Sequence, residues 1–215
     1  MNVSINGNKH MVIAKILLIS TMLLTILQVI LSIVALPWST AYFVVRLLPA
    51  LMTGFILLKY KTTIKGENYQ KQLALPIILI LVTYVIVLLE EINGLSFYSE
   101  NPLLNSFTTW EYICLYAINC GPSVVALAVG IFTIIVCFQK KKKSILSSIM
   151  LCLAAIVQFV DGVALLMRGY EVYVEQFGLI YVLFLAVSTI VSTLVFITFS
   201  VLMLPAKTEN TSLFC

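Results

Sequence analysis

The chain is 215 residues long, 61% hydrophobic and 10% charged, with a mean hydropathy of +1.09 and a formal net charge of +4. Soluble domains run at about 45–50% apolar and about 25% charged, so a water-soluble chain of this composition has too few polar atoms to cover its surface. Lipid is the expected solvent. Nucleic acid is not expected as a partner, because most basic residues are lysines beside apolar runs and topology accounts for them.

A helix needs about 20 apolar residues to cross the hydrocarbon, whereas barrel strands alternate polar and apolar over about ten. The apolar runs here are continuous and long, so helices are expected. In chain order six runs qualify: 16–36, 41–58, 73–89, 112–138, 145–167 and 177–204. The first is too long for the core of a signal peptide and reads as a retained span. Pro37-Trp38-Ser39-Thr40 reads as a tight hairpin turn into the second, which is the weakest because it carries Arg46 and Pro49. The fourth and sixth exceed the minimum and are expected to tilt or protrude. Between the third and fourth, residues 90–111 mix acids with Phe97, Tyr98, Phe107 and Trp110, a pattern that suits the headgroup interface. The whole chain, 1–215, reads as one transmembrane domain: an all-α, six-span helical bundle.

Cytoplasmic loops carry the excess of lysine and arginine. With six spans, Lys9, Lys15, Lys59, Lys61, Lys65, Lys71, Lys140, Lys141, Lys142, Lys143 and Lys207 fall on one side, with only Glu67 and Glu209. The other side holds Glu90, Glu91, Glu100, Glu111, Glu171 and Glu175 against Arg168 alone. Both N and C termini are then expected in the cytoplasm of a multi-pass protein of the plasma membrane. The sequons at Asn2 and Asn210 lie on the wrong face for glycosylation and so serve as a topology test.

Polar residues within hydrocarbon are the informative ones, because burying them is costly without partners. On the fifth run Gln158, Asp161, Leu165 and Arg168 follow 3-4-3 spacing and share one face. Asp161 is expected roughly 10 Å inside Arg168, and Arg46 roughly 7 Å in from the same side. A lone Arg or Asp at mid-helix costs about 2.5–3.5 kcal/mol, so the two are expected to pair directly or through water or ligand. The first run carries Thr21, Thr25, Gln28 and Ser32 on one face, and the fourth carries Asn119 beside Cys120-Gly121-Pro122-Ser123. Together with Glu90 and Glu91 these suggest an outward-facing polar pocket, with Arg46, Asp161, Gln158, Asn119 and Gln28 as its substrate-binding residues. The bland alternative is packing: Ser/Thr stripes and small-xxx-small pairs such as Ala117/Gly121, Ala126/Gly130 and Ser188/Ser192 glue helices together.

No catalytic residue, metal site or cofactor is expected. The five cysteines are scattered without CxxC or Cys/His spacing, and His10 is the only histidine. No G-x-S-x-G, H-E-x-x-H or P-loop is present. The sequence also places no close carboxylate pair within the spans, which argues against an intramembrane aspartyl protease. Six short spans with both termini inside resemble the general plan of the substrate-capture subunits of energy-coupling-factor vitamin transporters, in architecture and not in any motif.

Three functional readings follow. The first is a non-enzymatic protein that binds or moves a small solute through the outward pocket. The second is an accessory, scaffold or immunity-type protein packed against a larger membrane partner, and the third a membrane-embedded enzyme.

Overall fold

The computed structural model describes residues 4–35, 51, 54–56, 69–99, 109–139 and 144–204. Among them there are five long helices and no strand: α1 (Ser4–Ala35), α2 (Tyr69–Ser99), α3 (Thr109–Cys137), α4 (Ser144–Phe177) and α5 (Leu179–Met203). Each contains a stretch long and apolar enough to cross a membrane: Val12–Ala35, Lys71–Asn93, Tyr116–Cys137, Ile145–Glu171 and Leu179–Met203. The chain is an integral membrane protein. The second expected span, 41–58, lies mostly outside the described residues. Its helical residues 54–56 place Ile56 in the common core and Gly54 against Met22 of α1.

The helices are apolar on every side, as lipid-embedded helices are. What distinguishes their faces is polarity and size. On α1, Ile16, Leu23, Ile26, Ile30 and Ile33 are exposed, while Thr21, Thr25, Gln28 and Ser32 are buried. Isoleucine gains nothing by leaving lipid for protein, whereas a hydroxyl gains a partner, so the polar stripe turns inward.

α1 packs on α5, α5 on α4, α4 on α3 and α3 on α2. Each of these neighbours is antiparallel. Residue contacts fix the register: Thr21 meets Thr198 and Gln28 meets Ser188 across α1 and α5, and Gly162 faces Thr189 across α4 and α5. The series closes through Tyr84 of α2, whose ring lies 5.4 Å from that of Phe196 of α5 and whose hydroxyl bonds Ser192. One continuous apolar cluster runs through all five helices, including Leu18, Ile77, Tyr84, Val129, Leu151, Val195 and Phe199.

Helix ends differ from the expected spans at the acid-rich end. α2 continues past residue 89 to Ser99, and α4 past residue 167 to Phe177. Gly178 alone separates α4 from α5. Its φ of 80° and ψ of 169° lie in a region open essentially to glycine only.

Candidate functional site

Polar side chains inside the bundle fall into two groups. At the lysine-rich end and along the α1–α5 seam they satisfy one another. Ser148 and Ser200 exchange hydroxyl and backbone hydrogen bonds at 2.8–2.9 Å, with Cys152 Sγ 3.0 Å from Ser200 Oγ. Ser147 donates to Thr133 at 2.9 Å, and Thr21 Oγ1 lies 3.0 Å from Thr198 Oγ1. Thr25, Ser32 and Thr133 also return their hydroxyls to backbone carbonyls of their own helix. This is packing chemistry, which leaves no group turned toward a ligand.

The second group lies toward the glutamate-rich end, between α2, α3 and α4. Ser123 donates to Glu91 Oε1 at 3.2 Å, and Gln158 Nε2 donates to the carbonyl of Pro122 at 2.8 Å. Glu91 Oε2 is occluded and has no hydrogen-bond partner. Asp161 lies within electrostatic reach of Glu91 and of Arg168. Two carboxylates from different helices, Glu91 of α2 and Asp161 of α4, thus lie toward the same end of the spans.

Burial falls off toward this end of α2, α3 and α4. On the core face of α3, Ala126, Gly130, Thr133 and Cys137 are buried, yet Asn119, on the same face two turns away, is exposed. On α4 the row runs from buried Leu151 and Ala154, through half-buried Gln158 and Asp161, to exposed Leu165 and Arg168. On α2 it runs from buried Ile77, Ile80 and Tyr84 to half-buried Leu88 and Glu91. At the same end α1 and α5 stay closed, with Ser32, Val182 and Phe184 buried. Asn119, Ser123, Glu91, Gln158 and Asp161 thus lie where the described residues of α2, α3 and α4 pass from buried to exposed.

Of the residues expected to bind substrate, Gln158 and Asp161 lie half-buried on α4 and Asn119 lies exposed on α3, toward the same end of the bundle. Gln28 does not. It is buried in the α1–α5 seam, where its amide donates to Ser188 at 3.0 Å. Arg46, and with it the expected Arg46–Asp161 pairing, lies outside the described residues. Glu91 and Ser123, which the sequence already groups with the pocket, are bonded to each other here. The signal for Glu91 is its position two turns beyond Tyr84 on the core face, once the helix is extended past residue 89. Among the described residues no cluster of three His, Cys, Asp or Glu could hold a metal ion.

Compared with known proteins, the chain matches no family model, and no curated protein and no solved structure is similar to it.

Proposed function

We propose that the protein binds or moves a small solute through the polar opening between α2, α3 and α4, without covalent chemistry. The observation that carries this is the exposed Asn119 on a helix face that is otherwise core, one turn from Ser123, with Gln158 of α4 bonded to the Pro122 carbonyl between them. Ligand sites in bundles combine apolar walls with a few convergent polar groups, and this region has that makeup. The opening faces outward if the lysine-rich connections are cytoplasmic, which places both termini inside a plasma-membrane protein. Arg46 is assigned to a carboxylate or phosphate of the solute, Asp161 to an amine or proton, and Asn119 and Gln158 to orientation.

The test uses purified protein in nanodiscs and a panel of amino acids, amines and carboxylates, read as a shift in melting temperature. Binding raises the apparent stability by mass action. At least one solute is expected to stabilise the native chain and not the Glu91→Gln/Asp161→Asn variant. A panel that shifts neither protein, or both equally, overturns the reading.

One observation favours the accessory role instead. Ala117 and Gly121 lie on one face of α3, and among the described residues no atom of another element comes within 4 Å of a Cβ placed on Gly121. Small residues on a free face allow a partner helix to approach closely. The Thr/Gln stripe of α1, by contrast, is consumed within the chain and offers nothing to a partner. Mild solubilisation decides the matter: a chain that is always monomeric counts against the accessory role.

A further inference from the structure

Contacts divide the five helices into two groups. α4 and α5 are joined by the link at Gly178, by Gly162 packed against Thr189, and by the reciprocal bonds of Ser148 and Ser200, each hydroxyl reaching the other residue's backbone carbonyl. α1 belongs with them through Thr21–Thr198 and Gln28–Ser188. α2 and α3 form the second group, with Leu81 filling the space over Gly130 and Ser123 bonded to Glu91.

One register holds across the seam between α3 and α4. Ser147 donates to Thr133, and about three turns further out on both helices, about 16 Å away, Gln158 donates to the Pro122 carbonyl. Between these bonds Ala126 and Ala154 share the faces of Thr133 and Ser147, come level in that register and are both buried. Two small side chains there let the backbones meet closely. Tyr84 of α2 joins the groups as well, through Phe196 and Ser192 of α5. It lies between Leu81 and Glu91 as Ala126 lies between Gly130 and Ser123, so both contacts sit at the same depth.

The two ends beyond that depth differ. Toward the lysine-rich end the groups are sealed: Leu73, Val136, Cys137, Leu151, Leu202 and Met203 are buried, and Cys137 Sγ lies 3.9 Å from Met203 Sδ. Toward the other end burial falls off on α2, α3 and α4. Bodies that touch closely at mid-depth, tightly at one end and loosely at the other can tilt about the middle without losing the contact that joins them.

We infer that α2–α3 tilts as one body against α1–α4–α5 about the Ala126–Ala154 level, parting Ser147 from Thr133 as the lysine-rich end opens while the glutamate-rich end draws together. The inference deepens the proposed function, because the tilt makes one site beside Asp161 reachable from each face of the membrane in turn. Its test needs no solute, so its failure and a failure of solute binding are told apart.

Spin labels measure the tilt on protein in nanodiscs with the five cysteines replaced by alanine. One pair, on Lys71→Cys and Ile145→Cys, reports the distance between α2 and α4 at the lysine-rich end. Another, on Leu89→Cys and Leu165→Cys, reports it at the glutamate-rich end, and all four positions are exposed. Ser147→Ala removes the inner bond and is expected to raise the tilted population about threefold, the factor by which one typical bond between membrane helices shifts an equilibrium. Longer inner distances and shorter outer ones gain weight together. Cys137 gives a second measurement in chains that keep it, with the other four cysteines as alanine. A small charged thiol reagent reaches it about threefold faster in Ser147→Ala, whereas Gln158→Ala, whose bond survives the tilt, leaves the rate unchanged. Distances that lengthen at both ends, distances or rates unchanged by Ser147→Ala, or equal acceleration of Cys137 by both variants overturn the inference.

Discussion

Gln28 and Glu91 are both polar residues that a helix carries into an apolar bundle, and their neighbours treat them in opposite ways. Gln28 meets Ser188 and is sealed; Glu91 uses one oxygen on Ser123 and leaves the other without a partner. The sequence makes both look alike, because residue type and spacing reveal that a polar group lies on a helix face but not which helix will lie opposite. Spacing alone therefore groups Gln28 with Glu91 in one pocket, whereas the α1–α5 seam takes Gln28 instead. Asp161 and Gln158 were legible, since a 3-4-3 row ending in Arg168 needs only one helix to define it. Two expectations belong to this scale. Thr21 and Thr198 share a buried bond, so Thr198→Val should lower stability by about 0.6 kcal/mol, a usual value for such bonds between membrane helices. Thr21→Val should cost the same, and the double variant less than the sum, measured by unfolding in detergent. The glycines of α3 separate cleanly as well. A methyl on Gly130 would overlap the side chain of Leu81, and Gly130→Ala should destabilise by about 1–3 kcal/mol in the same assay, whereas Gly121→Ala should be tolerated.

Hydropathy measures the thickness of the membrane, not the length of a helix. The runs 73–89 and 145–167 stop where glutamates and Arg168 begin, yet α2 runs on to Ser99 and α4 to Phe177. Outside hydrocarbon a helix needs only its own hydrogen bonds, and charged side chains do not interrupt them. At about 1.5 Å per residue the 34 residues of α4 span roughly 50 Å, well beyond the roughly 30 Å of hydrocarbon. Pro76 and Pro122 likewise sit inside helices without ending them, as membrane helices permit. The break that does occur, at Gly178, has a conformational cause. Its backbone angles cost a side-chain-bearing residue about 1–3 kcal/mol, so Gly178→Ala should lower the melting temperature or loosen the α4–α5 pairing, seen as faster hydrogen exchange at residues 174–182.

At the scale of the molecule, composition and run length indicate six membrane helices, of which the described residues show five, because solvent choice depends on sums over many residues and tolerates local error. The order α1–α5–α4–α3–α2 was not legible. It is decided by particular contacts such as Tyr84 with Phe196 and Ser148 with Ser200, which involve residues far apart in the chain. The separation of lysine from glutamate yields a further expectation. In intact cells, a cysteine placed at residue 100 should react with a membrane-impermeant reagent, and one placed at residue 142 should react only after permeabilisation. The reverse pattern would invert the bundle and turn the opening beside Asp161 toward the cytosol.

A link of one residue also fixes the last pair of helices as a hinge-free corner. With Gly178 as the whole connection, α5 can only double back along α4, which sets Gly162 against Thr189 before any other helix has a say in the register.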